Sequence, residues 1–147
     1  MKLSTKGRYG TRAVLDIALH RGEEPVLLKD IAHRQQIPLP YLEHLVTPLI
    51  SAGIIRSKKG AKGGITLAKS PEVIKLSDII KALEGPITMA ECVDKPETCS
   101  RAETCATRDI WSDVTQAIEK VLESVTLQNL VERQQKKKGV KQGMYYI

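Results

Sequence analysis

Cys92, Cys99 and Cys105 carry the first chemical signal of the chain. They are its only cysteines, and six and five residues separate them. The loop that holds them, Met89 to Thr107, also carries Glu91, Asp94, Lys95, Pro96, Glu97 and Glu103. So polar a loop cannot fold by burying apolar groups, and something must tie it down. Thiolates bind soft metals and iron–sulfur clusters strongly. Structural zinc is a second possibility, although its ligands usually come in pairs two to four residues apart, closer than here. Three free thiols, one of them redox-active, are the third. Spacing alone leaves all three open and puts the cluster first. An odd number of cysteines argues against a disulfide framework.

The elements that would position such a centre lie on either side. Leu27 to Ala68 reads as two short helices, a tight turn and a two-stranded wing. In the second helix Leu42, Leu45, Val46, Leu49 and Ile50 recur at the 3.6-residue period and form one apolar stripe. Its other face carries Pro40, Glu43, His44, Thr47 and Ser51. A helix that buries one face and offers short polar groups on the other suits a DNA major groove. Gly53 supplies a left-handed cap. Ile54 to Lys58 and Gly64 to Ala68 are predicted strands around a Lys59–Gly63 turn, and Lys58, Lys59 and Lys62 at the tip can reach phosphates. Pro40 fits the first turn of the recognition helix. Pro48 lies inside it and should bend it, and Gln36 stands where a turn favours glycine.

Charge follows the same division. The formal net charge is +6, made of +7 in residues 1–70, −5 in residues 71–130 and +4 in residues 131–147. A basic half that coincides with a helix-turn-helix is the footprint expected of a protein that binds double-stranded DNA. Phe is absent and Trp111 is the single tryptophan, so the core must be aliphatic. No stretch approaches the roughly 20 apolar residues of a membrane span. Met1 to Thr5 lacks the apolar region of a signal peptide, so a cytoplasmic location is expected.

Ser4 or Thr5 can cap a first helix running to about His20, with Tyr9, Ala13, Val14, Ile17 and Ala18 buried and Lys6, Arg8 and Arg12 making its first half basic. Asp30 opens the second helix. Beyond the wing, Ser77 is the predicted cap of a short helix that turns Ile79, Ile80 and Leu83 inward and stops at Gly85-Pro86. Thr107 is the predicted cap of a long helix on which Ile110, Val114, Ala117, Ile118, Val121, Leu122 and Val125 form an apolar stripe. That stripe predicts a homodimer through a partner helix. Leu127, Leu130 and Val131 suggest one more short helix.

The fold class that results is mainly α with a small β wing. Residues 1–86 form a winged helix-turn-helix domain, 87–107 the cysteine loop, 108–131 the dimerisation helix with its short successor, and 132–147 a basic, disordered tail. An enzyme is not expected: no nucleophile has a histidine or paired carboxylates in an evident motif, and Gly60–Gly64 lacks the helix a phosphate loop would open.

Met1-Lys2-Leu3-Ser4-Thr5-Lys6-Gly7-Arg8-Tyr9-Gly10, Leu39-Pro40-Tyr41-Leu42-Glu43-His44-Leu45, wing glycines Gly60, Gly63 and Gly64, the cysteine loop and the Trp111 helix together carry a family signature. Over residues 1 to about 134 the chain resembles the IscR/NsrR/CymR family of bacterial winged-helix regulators. The resemblance implies a homodimeric transcription regulator. In the cluster-binding branches three cysteines hold an iron–sulfur cluster near the dimer interface, and its state sets DNA affinity or site choice. Carried over, Cys92, Cys99 and Cys105 become the ligands, with [2Fe-2S] preferred to [4Fe-4S]. Glu43 becomes the residue that contacts or rejects bases, with Tyr41, His44 and the wing lysines beside it. Two positions depart from the pattern. Arg108 stands where the IscR branch has a ligand histidine, and Arg8 where the NsrR branch takes an aspartate from the partner subunit. The fourth ligand is therefore open, with Glu91, Glu103 and Asp109 nearby. In the CymR branch an enzyme partner regulates the protein and no cluster is needed.

Overall fold

The structure is a computed structural model that describes residues 2–145. Helix α1 spans Thr5–Leu19, and the Ser4 hydroxyl accepts from Gly7 N at 3.1 Å to cap it. Helix α2 spans Leu28–Gln35 and α3 spans Leu39–Ser51. Strands β1 (Ile55–Lys58) and β2 (Gly64–Leu67) pair antiparallel, Ile55 opposite Leu67 and Lys58 opposite Gly64. The segment before α2 joins this sheet by one bridge, Val26 with Ile65. Helix α4 is Leu76–Glu84, the four-residue α5 is Glu91–Asp94, and two 3-10 turns, Pro96–Thr98 and Ala102–Thr104, complete the cysteine loop. Helix α6 is Ala106–Ser124 and α7 is Leu127–Tyr145.

One aliphatic core gathers Val14 and Ile17 of α1, Ile31 of α2, Leu42, Leu45 and Leu49 of α3, Ile55 and Ile65 of the wing, and Ile79 and Leu83 of α4. Leu127 and Val131 of α7 belong to it too. The chain returns to this core because Ile74–Leu76 and Val125–Leu127 pair through their backbones: Leu76 N donates to Val125 O and Leu127 N to Ile74 O, both at 2.8 Å. Helices α1 and α4 cross closely because Gly7 and Gly10 face α4. A Cβ on Gly10 would meet Leu83 Cδ1 at 2.2 Å.

Several expectations need correction. Ile50 was assigned to the buried stripe of the recognition helix but is 38% exposed, and Val46 and Tyr9 are half-buried. Ser77 and Thr107 lie inside their helices rather than at the caps. Lys75 takes the cap of α4, with its N–H donating to the Asp78 carboxylate at 3.2 Å, and Cys105 takes that of α6. Ser77 is buried instead. Helix α3 continues through Pro48. Residues 132–145 of the tail continue helix α7, because Gln, Lys, Arg and Glu are good helix formers, and residues 146 and 147 lie outside the described residues. Residues 135–143 are nonetheless all exposed, so this stretch packs against nothing in the described chain.

Candidate nucleic-acid interface and cysteine loop

Pro40 lies in the first turn of α3, and Pro40, Glu43, His44 and Thr47 are all exposed, while Tyr41 is half-buried against the core. The polar face of α3 is therefore free, as its period requires. At the other end Gly53 adopts φ +71° and closes the helix. The turn before α3 is made by Gln36 in the left-handed region (φ 53°, ψ 47°), where its N–H and that of Ile37 satisfy the last carbonyls of α2. Gln36 is the one non-glycine with positive φ among the described residues. This is the position where the sequence lacked its glycine.

At the wing tip Gly63 N donates to Gly60 O at 2.9 Å. A Cβ on Gly63 would lie 2.3 Å from Lys58 O, so only glycine fits. Lys58, Lys59 and Lys62 are exposed around this turn, and Lys6 is exposed on α1. Arg12, expected at phosphate, is committed within the protein. Its Nε donates to Gln35 Oε1 at 3.2 Å, its Nη2 donates to Gln35 O, and its guanidinium lies 5.3 Å from the Tyr9 ring centroid.

Two features behind this surface escaped the sequence reading. Asp16, 1% exposed, accepts from Arg34 and from Gln35 Nε2 (2.9 Å), and so ties α1 to the C-terminal end of α2. The Asp16 carboxylate in turn raises the Arg34 pKa through that hydrogen bond. An aspartate within the otherwise apolar arc Ala13-Val14-Ile17 was the available signal. The second is Glu84, which accepts from Ser4 N at 2.9 Å and also from the Ser4 hydroxyl. A carboxylate at the start of α1 suits the helix dipole. This contact links the N-terminal end of α1 to the last turn of α4, ahead of the cysteine loop.

In that loop the three cysteines are half-buried free thiols. Cys92 sits in α5, Cys99 follows the first 3-10 turn, and Cys105 caps α6. Arg108 Nε donates to Cys92 O at 2.8 Å, which pins α5 to α6 and engages the Arg108 side chain. The Cys105 thiol lies below the usual range, first because of its hydrogen bond with Thr107 Oγ1 at 3.1 Å and then because of the Arg108 N–H. Among the described residues no three of His, Cys, Asp and Glu gather into a group able to hold a metal. The loop thus supplies three soft donors without bringing them together. His20, His33 and His44 all lie outside it.

On α6 the expected stripe divides in two. Thr115, Ile118 and Leu122 line a groove of about 740 Å³ with Leu76 and Ile80 of α4 and with the start of α1. Ile110 and Val121 turn outward, 55% and 62% exposed. Val114 and Val125, the latter at the C-cap of α6, are half-buried.

Residues 3–133 match the Rrf2 family, described as an iron-dependent transcriptional regulator. The chain belongs to the Rrf2 family. It is 45% identical over 131 residues to protein rrf2 of Nitratidesulfovibrio vulgaris, covering 89% of this chain and 87% of that one. It is 42% identical over 130 residues to the HTH-type transcriptional regulator CymR of Bacillus subtilis, covering 88% and 89%. The solved structure of IscR from T. potens superposes with a TM-score of 0.74 at 41% identity, covering 90% of this chain and 88% of that one. An Rrf2-family chain with this architecture is a winged-helix transcription regulator. No helix among its described residues is long and apolar enough to cross a membrane.

Proposed function

We propose that the chain acts as a homodimer whose affinity or site choice on DNA is set by an iron–sulfur cluster held by Cys92, Cys99 and Cys105. The observation that carries this reading is the placement of three half-buried thiols, with no disulfide, in one polar loop between α4 and α6. Thiolates are the donors such a cluster takes, and these three would supply all but one of its four protein ligands. Bound there, it would supply a centre sensitive to redox state, nitric oxide or iron–sulfur supply. The chain does the rest. The dimer presents two copies of α3 to successive major grooves of a pseudo-palindrome, about one helical turn apart. Glu43, His44 and Thr47 face the bases, and Lys6, Lys58, Lys59 and Lys62 face phosphates. If each subunit neutralises about four phosphates, log K falls with log salt at a slope near −7. Ordering of the loop is transmitted to α1 through Glu84 and Ser4 and to the dimer through α6, which biases the angle between the two DNA-binding units.

A second reading has its own observation. The thiols do not converge among the described residues, and the chain is as close to CymR as to IscR in sequence and fold. On this reading the protein is a cluster-free regulator controlled by a partner protein or by thiol oxidation.

Anaerobic purification followed by iron and sulfide analysis separates the two. The cluster reading expects a coloured protein with stoichiometric iron and sulfide. It also expects that changing all three cysteines to alanine removes the absorbance and the difference between reduced and air-exposed DNA binding. A colourless protein after anaerobic reconstitution, with DNA binding unchanged, sinks it.

A further inference from the structure

A continuous set of contacts runs from a buried carboxylate to the first turn of α3. Asp16 accepts from Gln35 Nε2 at 2.9 Å, and Gln35 Oε1 accepts from Arg12 Nε at 3.2 Å. This uses both ends of the Gln35 amide, so its orientation is fixed. The Arg12 guanidinium lies over the Tyr9 ring at 5.3 Å, with Arg8 at 5.9 Å. Tyr9 then meets Tyr41 edge to face, centroids 5.8 Å apart and planes at 87°. Tyr41 is the third residue of α3, directly after Pro40, on the turn that would enter the groove first. Both rings are half-buried against the core.

We propose that Tyr9 and Arg12 are positioning residues for DNA reading: they hold the Tyr41 ring, and with it the leading turn of α3, in the attitude that the major groove requires. The proposal rests on the reading of α3 as the recognition helix. It gives Arg12 a different role from a phosphate contact. Arg12 holds the Tyr9 ring on one side, and the fixed Tyr9 ring in turn restricts Tyr41 before DNA arrives, so binding costs less ordering. An aromatic pair of this geometry corresponds to about three- to tenfold in an equilibrium.

The test uses the full-length chain, a duplex selected from a randomised pool by the wild-type protein, and a scrambled duplex of equal length. Tyr9→Leu and Arg12→Met should each weaken the selected duplex by about tenfold, with scrambled binding within about twofold and the salt slope unchanged. Tyr9→Phe keeps the ring and should stay within about twofold of wild type. Arg12 is exposed, so Arg12→Met answers the question even if Tyr9→Leu folds poorly. Three results overturn the proposal. In the first, Arg12→Met lowers both duplexes alike and reduces the slope by about 1 to 2, the mark of a lost phosphate contact. In the second, Tyr9→Phe is as defective as Tyr9→Leu, which assigns the effect to the hydroxyl. In the third, Tyr9→Leu binds like wild type. Glu43→Ala run in parallel separates the underlying reading: if base preference does not change in that variant, α3 is not the reading helix and both ideas fall together.

Discussion

Asp16 and Arg34 form a two-point ion pair across α1 and α2, with Nε to Oδ2 at 3.0 Å and Nη2 to Oδ1 at 2.6 Å. The Asp16 side chain is 1% exposed and the Arg34 side chain 32%. Gln35 fills the remaining acceptor position on Asp16. Removing the cation strands a buried negative charge, which typically costs about 3–5 kcal/mol when both partners are buried. Because the Arg34 side chain reaches solvent, Arg34→Met should cost less, about 2–3 kcal/mol. Urea unfolding measures it. A loss below about 0.5 kcal/mol, the usual range for a surface substitution, would mean that water replaces Arg34 on Asp16.

The wing turn gives a sharper steric case. Gly63→Ala places a methyl 2.3 Å from Lys58 O and 2.8 Å from Gly60 O. Both are backbone atoms, so the hairpin itself must move, and the wing lysines move with it. Thermal unfolding should change little, because the tip is exposed and outside the core. DNA affinity should fall, and the salt slope should become shallower by about 2 to 5 as one to three wing contacts per subunit are lost. Identical salt titrations for Gly63→Ala and wild type would show that the wing does not touch DNA.

What could be read from the sequence was what local chemistry decides. Ser4, Gly53 and the wing glycines each fix a backbone conformation by themselves, and the helix-turn-helix and wing appear within a residue or two of where they were expected. The caps at Ser77 and Thr107 failed because a hydroxyl is only a preference. The pairing of Ile74–Leu76 with Val125–Leu127 sets where α4 begins, and these segments are 50 residues apart. Polarity alone does not decide the conformation of the tail, because the same residues favour a helix once Leu127 and Val131 are anchored in the core. Charge alone points Arg12 towards phosphate. Its partners, Gln35 and Tyr9, emerge only when α1 packs on the turn of α2. For the cysteine loop the sequence supplied the donors, but nothing in it shows how three thiols would be brought together.

The Cys105 thiol carries a pH signature that the metal-free protein can show. Its pKa is lowered first by the Thr107 hydroxyl and then by the Arg108 N–H, both of which favour the thiolate. A lowered pKa means more thiolate at any pH below the usual thiol range, and alkylation follows the thiolate. Carbamidomethylation of Cys105, followed by peptide mass spectrometry in chelator-treated protein, should therefore have its midpoint below that of a free cysteine. Thr107→Val removes the largest cause and should shift the profile to higher pH, slowing the reaction at pH 7. Superimposable profiles for Thr107→Val and wild type would show that the hydroxyl does not set the reactivity.

The outward face of α6 bears on assembly. Ile110 and Val121 are 55% and 62% exposed on the same side of a 19-residue helix, eleven residues or about three turns apart. Large apolar side chains kept at that spacing expose area that water opposes by about 25 cal/mol per Å². The inner face, Thr115, Ile118 and Leu122, already lies towards α4, so the outer residues contribute nothing to the monomer. Val121→Glu keeps the helix, since glutamate is the better helix former, and it puts a charge into each copy of a two-fold seam, where the two would face one another. Sedimentation equilibrium should show a shift from dimer to monomer at micromolar concentration, with helix content by circular dichroism preserved. DNA affinity should fall with it, because two half-sites are no longer engaged by one particle. A Val121→Glu protein that is still dimeric at nanomolar concentration would place the seam elsewhere and remove the reason for this exposed face.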